Sequence, residues 1–538
     1  MSDPYAIKNV HRKEKTPTRP SHKQQIAVMR EQEPEPDPRR RPVCPRPSSA
    51  KATRPDSRDQ TLEKRQVAHR QHQISTPDAT QTRRIASRLP ASLMASVASG
   101  LLLGACSWIP GSHLVGISET AAPAGGSIGT VVADEPQAAL VGHDVLARGG
   151  NAADAATATA LALGVTLPSR ASYGGGGACL ISRPGEAAQS ISFLPRPGTS
   201  KGADRPAGTP ASFRGLYLMQ LHFGTVEFND LIAPALNLAS TGITVSRALA
   251  TDLAAVHTAL LADENARAIF GRGEANTLAA GDSLAQPRLA GFLERIRVAG
   301  VGDLYNGALA DVYVTAAQKA GGGLNDDDMR QTLPVQTDAL TTHQGGINAA
   351  FLAPPADGGL GAAIRYTTGA SAQGAVAAWR ASGNTTLAAA QAALDSGRSG
   401  NGSLPSLPAS TSFVVTDHSG MAVACALSEN NLFGTGRIAG STGVVLSASP
   451  ARTPQPLLSA AILRDQRSLR AVIAASGQNE AADAVGDAAR AAAHDAPIPH
   501  EGAGRINAIV CHGDDSCRGV TDPRAAGLAA GTTNDSTH

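Results

Sequence analysis

Residues 151–165, NAADAATATALALGV, set the first condition on the fold. Asn151 is placed to cap a helix, with Asp154 at its third position, where a carboxylate favours the helix dipole. Beyond Asp154 the run carries no charge and is almost wholly Ala, Leu and Thr. A helix apolar on every face must be buried, and its small side chains allow very close packing. It ends before LPSRASYGGGGACLIS, where four glycines lead into an apolar strand. A glycine run can cradle phosphate, but no Lys-Ser or Lys-Thr follows this one. A tight turn that lets backbone approach a ligand or another strand is expected instead.

Around this helix the pattern is that of a mixed α/β domain. SIGTVVADEPQAALVGHDVLARGG reads as a strand and then a helix ending at a glycine pair. Residues 208–330 are mostly helical, with amphipathic runs such as FNDLIAPALNLASTG and PRLAGFLERIRVAG. In GGLNDDDMRQ the acids do not have calcium-loop spacing, and Asn325 followed by acids predicts a helix start. Residues 393–409, rich in Ser, Gly and Pro, predict an exposed linker. TSFVVTD and MAVACALSE then predict a hairpin around His418-Ser419-Gly420, and further strands are expected at GVVLSA, AAILR and RAVIAAS. Strands on both sides of the linker, with helices between, predict an α/β sandwich assembled from both segments.

The chain has 538 residues, but the usable length is shorter. Residues 1–82 hold almost no apolar clusters and are expected to be a disordered basic leader. Residues 1–90 carry 20 Lys+Arg against 10 Asp+Glu, leaving 27 against 35 for the remainder. The basic character therefore belongs to the tail. A basic tail can bind nucleic acid or anionic lipid, but no nucleic-acid module is present, and a solvated leader is the simpler reading. Residues 83–106 form a lipoprotein-type signal segment, in which Arg83, Arg84 and Arg88 precede the apolar run LPASLMASVASGLLLGA. At about 17 residues this run is shorter than the roughly 20 a spanning helix needs. Its end, Leu103-Gly104-Ala105-Cys106, resembles a bacterial lipobox, which predicts lipidation at Cys106 and a membrane anchor. The expected address is periplasmic and lipid-anchored, with Ser107 pointing to the outer membrane, or secreted if the lipobox is not used. Cys511 and Cys517 lie close enough in sequence to pair in an oxidising compartment. Cys179 and Cys425, in apolar surroundings, are expected to be buried packing residues.

RGGNAADAATATALALGV, the four-glycine turn and STSFVVTDHSGMAVACALSENNLFGTGRIAGSTGVVL together resemble the γ-glutamyltransferases (γ-glutamyltranspeptidases) of the N-terminal-nucleophile hydrolase class. The likeness runs in order from about Gly126 to Gly531. It implies a four-layer αββα sandwich built from a large segment, 107–409, and a small one, 410–538. It also implies a precursor that cuts itself between Ala409 and Ser410, after which the two segments stay associated. The freed α-amino group, with an ordinary pKa near 7.7–8.0, then serves as base for its own hydroxyl. Ser410 falls in the nucleophile position where the family usually has Thr. A one-residue slip would give the role to Thr411, and the remaining alternative is that these hydroxyls only begin a strand.

The resemblance implies that Ser428 and Asn430 orient nucleophile and substrate, and that Arg196 binds the substrate carboxylate. Gly477 matches the first of two oxyanion-hole glycines, with Gln478 in place of the second. The family's acidic pair for the substrate ammonium falls on Ala451 and Arg452. Its Ser-Ser pair falls on Leu458-Ser459, leaving Ser459 as the one hydroxyl for the carboxylate. No metal or organic cofactor is implied. The expected reaction transfers a γ-glutamyl group from a glutathione-like amide to water or an amine acceptor. Two alternatives stand, an amidase or acylase for a different amide and an inactive envelope lipoprotein that keeps the fold.

Overall fold

The computed structural model describes residues 128–531 apart from 401, 403, 405–409, 467, 478 and 513–516. The leader, the signal segment with Cys106, the scissile residue Ala409 and Gln478 lie outside the described residues.

Two antiparallel sheets pack face to face. The first contains β1 (Gly129–Ala133), β2 (Gly176–Ser182), β3 (Gln189–Phe193), β4 (Val335–Asp338), β7 (Ser410–Asp417), β8 (Ala422–Ser428) and β13 (Leu528–Ala530). Its spatial order is β13-β1-β7-β8-β2-β3-β4. The second contains β5 (Leu340–Gln344), β6 (Ile347–Phe351), β9 (Ser459–Asp465), β10 (Ser468–Ser476), β11 (Arg505–Cys511) and β12 (Cys517–Thr521), in the order β12-β11-β10-β9-β6-β5. Val132, Val414, Ala424, Ile462, Val472 and Ile509 fill the space between the sheets. The opposite faces carry Phe413, Val415 and Val423 on the first sheet and Leu463 and Ile473 on the second, each under its own helices. The alternation places one apolar set on each face of each strand, and the result is the expected αββα sandwich.

α1 (Pro136–Ala147), α2 (Ala152–Thr166) and α3 (Pro168–Ala171) cover the first sheet, and α2 is buried along its whole length. Asn151 and Asp154 form a reciprocal capping box, as the sequence predicts. Thr157 and Thr159 donate their hydroxyls to the carbonyls of Ala153 and Ala155, each at 2.8 Å, so these two buried hydroxyls are satisfied within the helix. The Asp417 carboxylate ties helix to strand by accepting from the Ala152 N–H at 2.9 Å. Its other oxygen takes the Ser419 hydroxyl and two amides of the predicted hairpin turn. The helix predicted to start at Asn325 also carries a capping box.

Two expectations change. GVVLSA is not a strand of either sheet, because Val445 and Ala448 make only isolated bridges, to Ile438 and Ala207. Cys179 and Cys425 are more than packing residues. They are register partners on β2 and β8, and their sulfurs are bonded across the two strands. The Cys511–Cys517 pair is bonded as expected. Apolar neighbours make a thiol look like filler in sequence, and only the register brings the two sulfurs together.

Candidate active site

Ser410 is the first residue of β7, a strand in the middle of the first sheet, and it pairs with Ser428 at the end of β8. The side chain is buried, and its Oγ accepts the Gly477 N–H at 3.1 Å. Gly477 follows the last residue of β10, so the two sheets meet at their ends around this hydroxyl. The Gly477 φ of +110° favours glycine, and a Cβ there would lie 3.1 Å from the Ala503 carbonyl oxygen.

Thr411 points elsewhere. Its hydroxyl donates to Asp134 Oδ2 at 2.9 Å, and the Ser412 N–H reaches the same oxygen at 3.2 Å. Asp134 Oδ1 accepts from the Asn507 amide at 2.7 Å, and that amide also reaches the Ser412 carbonyl and hydroxyl, each at 3.0 Å. A buried carboxylate held by donors on both oxygens is a rigid anchor. It locks the start of β7 between β1, which ends at Ala133, and β11 of the other sheet. The peptide bond after Ser410 is thereby enclosed in the ladder, and Ser410 itself is the strand's first residue. Of the two neighbouring hydroxyls, that of Thr411 is committed to Asp134 and that of Ser410 faces the Gly477 N–H.

Across the strand, Ser428 Oγ accepts the Asn430 N–H at 2.8 Å, and the Asn430 amide donates to the Ala448 carbonyl at 3.0 Å. Asn430 has φ 60°, a conformation that asparagine tolerates better than most residues. The structure thus brings Ser410, Ser428, Asn430 and Gly477 to one end of the sandwich.

Glu429, between Ser428 and Asn430, is fully buried, and among the described residues neither carboxyl oxygen has a hydrogen-bond partner. Burial raises its pKa well above the ordinary 4.5, only partly offset by the Gly175 amide facing it without full hydrogen-bond geometry. A Cβ at Gly175 would fall 2.3 Å from Glu429 Oε1, and one at Gly176 would fall 2.1 Å from the Phe193 carbonyl oxygen. The four-glycine turn therefore serves the close approach of strands that its composition predicts.

The residues expected to bind substrate are placed differently. Gly177 pairs with Phe193, so the end of β3 lies three strands from the start of β7, about 14 Å at normal strand spacing. Arg196 lies beyond it, exposed, with Nη1 donating to the Gln331 carbonyl at 2.8 Å. It lines a proline-rich cleft of about 660 Å³ with Trp379, Asp357, Ala451 and Gln455. Arg452 is exposed in the turn after Ser449. Ser459 is buried with no hydrogen-bond partner for its Oγ among the described residues. Alternation along β9 puts it on the same side as Ala461 and Leu463, which face the helices, and not toward Ser410. Arg196 is thus set about three strands from Ser410, and the Ser459 side chain faces the helices.

Asp134, Asn507 and Glu429 escape a reading of the sequence. A faint signal exists for the first two, an acid directly after an apolar strand in TVVADEP and a lone amide inside the apolar run RINAIVC.

Residues 138–366 match the family described as Gamma-glutamyltranspeptidase. The glutathione hydrolase proenzyme of Escherichia coli (strain K12) is 32% identical over 251 residues, covering 43% of this chain and 43% of that protein. Glutathione hydrolase 3 of Arabidopsis thaliana is 30% identical over 247 residues, covering 43% of this chain and 39% of that protein. The chain thus spans less than half the length of these curated relatives. Among solved structures, a cephalosporin acylase from Bacillus halodurans superposes with a TM-score of 0.61 at 19% identity, covering 77% of this chain and 99% of that one. That likeness concerns the fold.

Proposed function

We propose that this chain is a divergent member of the γ-glutamyltranspeptidase family and a self-processing amide hydrolase or acyltransferase with Ser410 as its N-terminal nucleophile. The observation that carries the reading is the buried Ser410 hydroxyl at a strand end, 3.1 Å from the Gly477 N–H. In maturation Ser410 Oγ attacks the Ala409 carbonyl carbon, the peptide C–N bond breaks, and the ester formed is hydrolysed by water. The α-amino group released on Ser410 then takes the proton from its own hydroxyl as Oγ attacks the substrate amide. In the proposed step the Gly477 N–H donates to the developing oxyanion. The leaving amine takes up the proton, and water or a second amine resolves the ester. Ser428 and Asn430 hold the strand end that presents the nucleophile. The substrate proposed is a γ-glutamyl amide of the glutathione type.

A second reading keeps this chemistry with an amide that carries no ammonium group. It is favoured by the cleft beside Ala451, whose acid among the described residues, Asp357, is bound on both oxygens by Arg380 at 2.6 and 2.7 Å. No carboxylate there is left for a substrate cation.

Intact mass of the reduced protein tests the main proposal. Two chains are expected, the smaller beginning at Ser410, and a single uncut chain under maturing conditions would count against enzyme function. Lipidation at Cys106 and an envelope address extend the proposal, and mass analysis of the mature N-terminus tests them.

A further inference from the structure

A second cleft, of about 340 Å³, opens where α3 and α4 (Arg247–Leu260) meet the strand ends near Ser410. Asp134, Arg170, Arg247, Asp252, Arg505 and Arg524 line it. Its charges are unequally satisfied. Arg170 grips Asp252 through two bonds of 2.7 and 2.6 Å, and Ser169 also donates to Asp252 at 2.7 Å. Arg524 is bound to Asp522 in the same two-pronged way, at 2.9 and 2.6 Å. Asp134 is saturated by Thr411, Ser412 and Asn507. The acids are thus already engaged. Arg247, exposed in the first turn of α4, and the half-buried Arg505 have no side-chain hydrogen bond or ion pair among the described residues.

The place of Arg505 matters as much as its charge. It is the register partner of Ser476, the residue before Gly477, whose N–H touches Ser410 Oγ. One covalent step and one strand spacing put the Arg505 backbone on the order of 10 Å from the nucleophile. The reach of a guanidinium and the length of a short acyl chain together span such a gap. The cleft is also distinct from the proline-rich one that holds Arg196.

We propose that this cleft is an anion subsite in which Arg505 and Arg247 receive a carboxylate carried by the amide substrate. The proposal rests on Ser410 being the nucleophile. Two uncommitted guanidinium groups beside saturated acids give a net attraction for a carboxylate, and the planar fork suits it geometrically. A substrate with a carboxylate at the far end of a short acyl chain fits, with or without an ammonium group.

The test separates binding from turnover. Glutarate and its neutral isostere glutaramide are titrated calorimetrically into the full chain, its Ser410→Ala form and the Arg247→Gln/Arg505→Gln double variant. Glutarate is expected to bind the first two, weaken with added salt, and lose about tenfold or more in affinity in the double variant. Glutaramide is expected to bind none of them. Equal glutarate binding by the double variant, or none by the unaltered chain, overturns the proposal whether or not the chain is cut. Absence of cutting alongside charge-dependent glutarate binding would instead sink the nucleophile reading and leave the anion cleft standing. Where the chain turns over a γ-glutamyl anilide, Arg505→Gln is expected to raise KM about tenfold with little change in kcat. A fall in kcat at unchanged KM overturns the assignment of the carboxylate to the substrate.

Discussion

The Thr411 hydroxyl lies 2.9 Å from the Asp134 carboxylate, and this contact separates the two adjacent hydroxyls that a sequence cannot rank. Thr411 is committed to holding the strand, while its neighbour Ser410 faces Gly477. Ser410→Ala is therefore expected to remain a single chain, and Thr411→Val to be cut more slowly but still before Ser410. N-terminal sequencing of the small fragment decides the matter. A Ser410→Ala chain that still yields a fragment starting at Thr411 reverses the assignment.

Asp134→Ala removes the acceptor for Thr411, Ser412 and Asn507 at once. The orphaned buried donors are expected to lower stability by about 3 kcal/mol and to slow maturation. Denaturant midpoints against the parent chain measure the first effect and the time course of cutting the second. An unchanged midpoint would remove Asp134 from the anchoring role.

Gly477→Ala adds a Cβ at φ +110°, within 3.1 Å of the Ala503 carbonyl oxygen. The loop must shift, and the N–H that meets Ser410 Oγ shifts with it. A loss of about a hundredfold in cutting rate or turnover is expected, the size seen when one oxyanion donor is removed. Near-parental kinetics would mean that this amide is a spectator.

Glu429 gives a signed pH effect. Its folded pKa stands above its unfolded value near 4.5, so the unfolded chain ionises first as pH rises. Stability relative to Glu429→Gln should be greatest below about pH 4.5. It should then fall by ~1.4 kcal/mol per pH unit toward the folded pKa. Glu135, also raised by burial, is present in both proteins and cancels in the difference. Parallel stability curves from pH 4 to 8 would mean that Glu429 is ionised or solvated in the fold.

Cys179 lies before the proposed cut and Cys425 after it, so their bond joins the two products. A processed chain is expected to run as one band without reductant and as two with it. Two bands without reductant would show that the bond does not form in the protein tested.

Much of the scaffold was legible in residue order. The uniform apolarity of 152–166, the capping pair Asn151 and Asp154, and the alternation of FVVTD and AVACALS all report local geometry, and local geometry is what periodicity encodes. The strand that begins at Ser410 could be located for the same reason, whereas the role proposed for Ser410 rests on the family resemblance. Substrate residues were less legible. Arg196 follows an apolar strand as binding residues do, yet it lies three strands away, and Ser459, which opens a strand, faces the helices. Glu429 looks like a surface acid at a strand end until the four-glycine turn closes over it. Asp134 and Asn507 meet from positions 373 residues apart in the chain, and no spacing rule joins them.

The strand order of the first sheet also constrains how such a chain is made. β1 is completed on one side by β7 and on the other by β13, and Gly129 pairs with Asp417. During synthesis the first strand leaves the ribosome long before either neighbour exists, with two open edges and an all-apolar helix close behind it. The first sheet is complete only once Leu528–Ala530 has been made, so the proposed cut before Ser410 finds β1 paired on both sides only after that point.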